Sequence, residues 1–248
     1  MPAVNAATVS ETVTTPSAKR LHDDFNGDGY PDLAIGAPNT AVSGLSKAGA
    51  VSVLYGDVFV PLAKGGMVTY VPGGASGPDG TGATFFNQDS PGVPGVAEGA
   101  DGSGGSDYFG RSISVGDIDG DGYADVSVGV PGEDFDGKTR AGSVVTMRGT
   151  ASGLTGSGAK VFSQDTDGVP GTAENQDVFG SATRLIDANR DGRAELAVGA
   201  PGENTGAGSV WVFRSASSGV TPTGSYTFGA GTLGTVAAGA RLGTGFAY

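Results

Sequence analysis

Asp117-Ile-Asp-Gly-Asp-Gly-Tyr-Ala-Asp-Val-Ser-Val-Gly-Val-Pro131 joins an acidic loop to a short alternating apolar run that ends in Gly-x-Pro. Two further stretches lie over it without a gap: Asp24-Phe-Asn-Gly-Asp-Gly-Tyr-Pro-Asp-Leu-Ala-Ile-Gly-Ala-Pro38 and Asp187-Ala-Asn-Arg-Asp-Gly-Arg-Ala-Glu-Leu-Ala-Val-Gly-Ala-Pro201. Each is followed by Ala-Gly-(Ala/Ser)-Val and a second alternating run: Ala50–Tyr55, Ser143–Arg148 and Ser209–Arg214. Another shared stretch, Gln88-Asp-Ser-Pro-Gly-Val-Pro-Gly-Val-Ala-Glu98 and Gln164-Asp-Thr-Asp-Gly-Val-Pro-Gly-Thr-Ala-Glu174, leads to a Phe-Gly pair, Phe109-Gly110 and Phe179-Gly180. Gly239-Ala-Arg-Leu-Gly243 resembles that Phe-Gly element and opens a fourth unit. Self-similarity of this length marks a repeat architecture. The expected units are about 20–88, 89–164 and 165–238, with a stub at 239–248. The extra length ahead of the second acidic loop falls between Gly56 and Gly82 and in Gly99–Ser106, glycine-rich tracts that read as surface loops.

Within a unit the apolar residues recur with period two, as in Leu33/Ile35, Val126/Val128, Leu196/Val198, Val144/Thr146 and Val210/Val212. Ile113/Val115 and Phe162 supply further strands. The expectation is about four short antiparallel strands per unit, which read as the blades of a β-propeller. The fold class is therefore all-β, with propeller-like blades of four antiparallel strands. Forty-seven glycines in 248 residues leave almost no window for an uninterrupted helix, so an α-helical protein is excluded. Residues 1–19 contain no glycine and read as a flexible N-terminal segment, with Thr8–Thr14 an alternative strand for closing a ring. Val4-Asn5-Ala6 resembles the small-residue end of a signal peptide, but no basic or apolar region precedes it.

The acidic loops have the form Asp-x-(Asp/Asn)-x-Asp-Gly-x-x-(Asp/Glu). Oxygens at loop positions 1, 3, 5 and 9, with a backbone carbonyl at 7, can converge on one hard cation, and the glycine at 6 permits the sharp turn. The candidate ligands are Asp24, Asn26, Asp28, Tyr30 and Asp32; Asp117, Asp119, Asp121, Tyr123 and Asp125; and Asp187, Asn189, Asp191, Arg193 and Glu195, where Tyr30, Tyr123 and Arg193 offer carbonyls. An all-oxygen set favours Ca²⁺ over Mg²⁺, and two to three ions are expected. An EF-hand is excluded, because its twelfth position needs a bidentate Glu and here holds Ile35, Val128 or Val198. Asx turns alone would explain one such loop. Three in one register, holding ten of the 26 acidic residues, would repel one another without a counter-ion. The second loop has four carboxylates; the third has Asn189, the longer Glu195 and two nearby arginines, and is expected to be the weakest.

Composition narrows the partners. A net charge of −12 repels phosphate backbones, so nucleic acid is not expected. No apolar run approaches the ~18 residues of a membrane span, so no membrane insertion is expected. Cysteine is absent, which removes disulfides and thiol chemistry; this fits an exported protein stapled by calcium, and a cytoplasmic protein equally can lack cysteine.

Phe-Gly, the acidic loop and Gly-Ala-Pro together resemble the FG-GAP repeat of integrin alpha propellers and of secreted bacterial proteins. Phe179-Gly180 with Gly199-Ala200-Pro201 matches fully, Phe109-Gly110 pairs with Gly129-Val130-Pro131, and Gly36-Ala37-Pro38 lacks a Phe-Gly partner because Arg20-Leu21-His22 stands there. The resemblance covers about residues 20–248. It implies calcium loops on the outer rims of blades, opposite the ligand-binding loops, and an extracellular or cell-surface setting. Propellers have 4–8 blades. Three units and a stub therefore point to part of a longer propeller, a partial solenoid, or copies that associate.

By this resemblance the chain is a calcium-binding module for adhesion to, or binding of, an extracellular protein or glycan, without catalysis. Pro72–Gly82, Gly99–Ser106 and Glu133–Arg140 are candidate ligand-facing loops, or merely tolerated insertions. The alternative is a secreted hydrolase, esterase- or phospholipase-like, or the repeat region that accompanies one. A Ser-His-Asp triad would have to use His22, the single histidine, and no Gly-x-Ser-x-Gly elbow exists. Glu133 and Glu203 occupy matching Pro-Gly-Glu turns and read as turn chemistry rather than a glycosidase pair. Trp211 and Tyr226 read as packing residues rather than a sugar platform. No catalytic residue is assigned.

Overall fold

The computed structural model describes residues 33–36, 65–72, 82–98, 106–234 and 236–247. The first acidic loop, His22, the run Ala50–Tyr55 and most of the tracts Pro72–Gly82 and Gly99–Ser106 lie outside the described residues.

Three antiparallel sheets follow one another along the chain. The first is β1 (Leu33–Gly36), β2 (Val68–Val71) and β3 (Thr84–Phe86). The second is β4 (Ile113–Gly116), β5 (Asp125–Val130), β6 (Ser143–Arg148) and β7 (Thr155–Phe162). The third is β8 (Ala182–Ile186), β9 (Glu195–Ala200), β10 (Ser209–Ala216) and β11 (Gly219–Gly229). Neighbours in each sheet are neighbours in sequence, so each is a plain meander. These are the four-stranded blades that the period-two runs require, with three strands described in the first. Glu203–Gly206 forms one helical turn, and among the described residues no helix is long and apolar enough to cross a membrane.

The middle strands depart from the half-buried pattern that alternation alone implies. Every residue of β5 is buried, Ser127 and Gly129 included, and all of β6 except Arg148. The reason is stacking: the second sheet is covered on both faces. Val126, Val128, Val145 and Met147 pack with Val68, Tyr70 and Phe109 into a core between the first and second sheets. Val144, on the other face of β6, joins Phe162, Phe179, Leu196, Val198, Trp211 and Phe213 in a core between the second and third. Phe179 meets Trp211 and Phe213 edge-on, with centroids 5.4 and 6.4 Å apart. Small polar residues on the inner faces bridge sheets: Ser114 Oγ accepts the Leu185 N–H at 2.8 Å, and Ser112 Oγ donates to Gly180 O at 2.9 Å.

The sheets are latched by backbone. Phe109 N–H donates to Gly65 O at 2.7 Å and Phe179 N–H to Ala141 O at 3.0 Å, with Gly66 and Gly142 facing the phenylalanines in isolated parallel bridges. Leu242 N–H donates to Ala207 O at 3.0 Å and bridges Gly208 in the same way. Tyr108, Val178 and Arg241, which precede the three docking residues, share a left-handed φ of 58, 52 and 49°. The stub thus docks on the third sheet as the Phe-Gly pairs dock on the first and second. Gly66, not an Ala-Gly-Ala-Val glycine, takes the receiving place in the first sheet, and Val68–Val71 is the strand paired with β1.

Gly142 has φ +87°, and a Cβ there would lie 2.2 Å from Phe179 O. Gly137 has φ +77° and open space around it. Chemical denaturation is expected to show a loss of about 1–2 kcal/mol for Gly137→Ala, the cost of the left-handed backbone alone. Gly142→Ala loses clearly more, because the latch must also open. Equal losses would show that the bridge to Phe179 carries no stability.

Candidate metal centre

Each described acidic loop is the turn between the first and second strands of a blade, from Gly116 to Asp125 and from Ile186 to Glu195. In the second loop the backbone wraps around its own carboxylates. Asp117 accepts N–H bonds from Gly120 at 2.6 Å and Gly122 at 3.0 Å. Asp119 accepts from Asp121 at 3.1 Å, and Asp121 from Tyr123 at 2.9 Å. Asp125, fully buried at the head of β5, accepts from Ile118 at 2.8 Å and Gly149 at 2.9 Å. Asp117, Asp119 and Asp125 bring carboxylate oxygens within 4.8 Å of one another, the one such group of three acids among the described residues. Asp121 stands outside that set and is exposed. Arg148 makes an ion pair with Asp119 from the end of β6.

The arrangement is electrostatically costly without a cation. Burial pushes the Asp125 carboxyl up to about 7, which its two N–H donors offset only in part and which Asp119 and Asp121 reinforce. Burial, then the charges of Asp119 and Asp117, raises Asp121 as well. Arg148 answers part of the negative charge that the four carboxyl groups bring together.

The third loop repeats the backbone and not the convergence. Asp187 accepts from Asp191 and Gly192 at 3.0 Å each, as Asp117 does from its loop. But Asn189 Nδ2 donates to Glu195 Oε1 at 2.8 Å and to Asp191 Oδ2 at 3.2 Å, and Arg193 Nη1 lies 3.7 Å from Asp191. Amide and guanidinium N–H groups thus occupy the oxygens that a cation would need. The loop abuts its neighbour: Ala194 N–H donates to Asp117 O at 2.7 Å.

Other residues singled out in the sequence have structural places. Trp211 is buried and its Nε1–H donates to Pro170 O at 2.7 Å, while the exposed Tyr226 stacks on Phe228. The Glu133–Arg140 segment is a tight hairpin that grips the next unit: Lys138 Nζ bonds Asp165 Oδ2 at 2.6 Å, and Thr139 N–H donates to Asn175 Oδ1 at 2.8 Å.

The sequence reading missed a second set. Glu133 and Glu203 each accept a hydrogen bond from a buried glutamine, Gln88 and Gln164, beside a buried aspartate, Asp107 and Asp177. Burial pushes Asp107 up to about 8, with Glu133 and Glu98 adding to it, and pushes Glu133 up to about 7. Burial and the adjoining Asp177 carboxyl hold Glu203 at about 7. The shared Gln-Asp…Ala-Glu stretch and the Asp ahead of each Phe-Gly were the available signals.

A profile of the FG-GAP repeat family matches three segments, 22–54, 109–147 and 179–213. The chain is an FG-GAP repeat protein. The second and third repeats each open at the Phe-Gly latch and run through the acidic loop into the third strand of a blade. Among curated relatives of this FG-GAP protein, phosphatidylinositol-glycan-specific phospholipase D of Rattus norvegicus is 36% identical over 101 residues, covering 39% of this chain and 12% of that protein. The protein of the same name from Dictyostelium discoideum is 27% identical over 195 residues, covering 77% of this chain and 19% of that protein. The chain therefore spans less than a fifth of the length of these two relatives.

The raised carboxyls set a pH dependence. A folded carboxyl near 7 or 8 holds its proton where the unfolded one, near 4, has lost it, so its contribution to stability falls as pH rises through that window. With chelator present, the melting temperature is expected to fall from about pH 5 to about pH 8. A melt that rises over that range would show that these carboxyls are ionised and compensated in the fold.

Proposed function

We propose that this chain is a calcium-binding, integrin-like β-propeller module that presents its loops to an extracellular protein or glycan and catalyses nothing itself. The observation that carries the reading is the convergence of Asp117, Asp119 and Asp125 on one point inside a family-matched repeat. Carboxylate oxygens with no nitrogen or sulfur ligand suit Ca²⁺, and Asp121 with the Tyr123 carbonyl would complete the set. The same ligands in the first loop would be Asp24, Asn26, Asp28, Asp32 and the Tyr30 carbonyl. In the third, Asp187, Asn189, Asp191, Glu195 and the Arg193 carbonyl would have to break the bonds that Asn189 and Arg193 make first, which supports ranking it weakest. A secreted or cell-surface setting fits, since millimolar Ca²⁺ fills even weak sites.

A second reading rests on the relatives. They are named as phospholipases, so the chain would be the repeat region that accompanies a catalytic domain and holds it at its substrate. In both readings the repeats themselves bind. Ester, phosphodiester and polysaccharide panels are expected to show no turnover by this chain. Turnover abolished by His22→Ala would replace the binding module with an enzyme.

Calorimetric titration of Ca²⁺ into chelator-stripped protein is expected to show binding with a melting temperature raised by about 5–10 °C at saturation. Asp119→Asn is expected to remove the tightest site, and Asp187→Asn to change the titration least. Absence of binding with an unchanged melt would reduce the loops to turns.

A further inference from the structure

The junctions between sheets hold a second constellation that repeats. At the junction of the second and third sheets, Gln164 is 1% exposed; its Nε2 donates to Glu203 Oε2 at 2.6 Å, and its Oε1 has no hydrogen-bond partner. Asp177, 2% exposed, lies beside the same Glu203, and its charge helps to raise the Glu203 carboxyl. Glu174, exposed at the rim, donates its N–H to Asp177 Oδ2 at 2.8 Å. The junction of the first and second sheets is built alike. Gln88, 3% exposed, donates from Nε2 to Glu133 Oε2 at 2.5 Å and leaves Oε1 unpartnered, while Asp107 accepts the Glu98 N–H at 2.5 Å. No lysine or arginine among the described residues is ion-paired with any of these acids.

Turn chemistry accounts for the backbone here, since Asp89 and Asp165 hold the Ala97 and Ala173 N–H groups at 3.1 and 2.8 Å. It does not account for two equivalent buried amide oxygens without partners, an arrangement that costs stability each time it occurs. Burial, with the neighbouring Asp177 carboxyl, also holds the half-buried Glu203 carboxyl above its ordinary range.

We propose that each junction is a cation site of a second kind, separate from the acidic loops, in which Gln164, Asp177 and Glu203, and likewise Gln88, Asp107 and Glu133, give oxygen ligands to a hard divalent cation of the calcium class. A half-turn of the glutamine amide brings Oε1 to the point where Nε2 now faces the glutamate. The exposed Glu174 and Glu98 give the ion a way in. Because the Gln follows the last strand of one sheet, while the Asp precedes the first strand of the next sheet and the Glu lies in that next sheet's central turn, the ion ties one blade to the next. At the third latch Ala240 stands where Asp107 and Asp177 stand, and the set is absent.

Tb³⁺ is the probe, with the full chain stripped by chelator. Trp211 is the only tryptophan and is bonded to Pro170 of the loop that carries Gln164 and Glu174. Excitation through Trp211 is expected to give sensitised Tb³⁺ emission that Ca²⁺ displaces. Asp177→Asn and Gln164→Leu each remove most of it, whereas Asp119→Asn and Asp187→Asn, which disable the second and third acidic loops, leave it in place. Counting bound Ca²⁺ by native mass spectrometry adds the first junction: Asp107→Asn with Asp177→Asn binds one ion fewer per junction. Should Asp177→Asn fail to fold, Gln164→Leu, which removes no charge, decides. Absent emission in the wild type, emission that survives Gln164→Leu, or an unchanged ion count overturns the proposal and leaves a shared proton as the neutralising charge. None of these outcomes depends on whether the acidic loops bind calcium.

Discussion

The stack rests on a backbone contact that only glycine permits. A unit of four short strands cannot bury both faces by itself. It does so here because the next unit's Phe-Gly segment hydrogen-bonds along the start of its third strand and drives a phenylalanine into the seam. Gly142 accepts this approach by lacking a Cβ that would strike Phe179 O, and its left-handed φ turns the chain into β6. Once the latch closes, Phe179 falls between Val144 of one sheet and Trp211 of the next, and the inter-sheet core forms around it. Both faces of β5 and β6 are then apolar or small because each belongs to a different core.

Stacking also concentrates charge. The turns that end the strands fall side by side, so the acidic loops of successive units adjoin, as Ala194 N–H bonded to Asp117 O illustrates. Arg148 on Asp119 and Lys138 on Asp165 answer part of this charge. Burial first, and then neighbouring acids, hold the carboxyls of Asp125, Asp107, Glu133 and Glu203 above their ordinary range. In a chain with 26 acids, 14 basic residues and no disulfide, the proposed cation sites would lie at these turns and seams, so the features that would weaken the stack in a chelator would fasten it in calcium.

Much of this was legible from residues alone. The acidic loops, the strands that follow them and the Phe-Gly elements repeat in spelling, and spelling survives where a turn demands particular residues: Gly122 with φ +97° and Gly192 with φ +89° stand at the same loop position. The Leu242 latch was legible too, because a glycine after an apolar residue is enough to make it. Convergence in the third loop was not, since Asn189 can offer an oxygen or an N–H and only the neighbours decide which. The Gln–Asp–Glu junctions were hidden for a different reason. Gln164 and Glu203 are 39 residues apart, and nothing local links a turn glutamate to a glutamine two strands earlier. The strand beside β1 also escaped, because Gly65-Gly66-Met67-Val68 does the work of Ala-Gly-Ser-Val without sharing its spelling.

The three latches separate what is needed for stacking from what is added to it. Phe109, Phe179 and Leu242 dock with one geometry, but only the first two are preceded by an aspartate two residues earlier; the third has Ala240. Docking therefore does not require the acid. The hydrogen bonds of the latch are main-chain bonds, and the left-handed residues ahead of it, Tyr108, Val178 and Arg241, share no side-chain chemistry. Asp107 and Asp177 are then not structural necessities of the seam, although burying a carboxyl there costs free energy. A costly group that the fold can dispense with, placed twice beside a buried amide oxygen without a partner, is better explained by something it holds than by the backbone it adjoins.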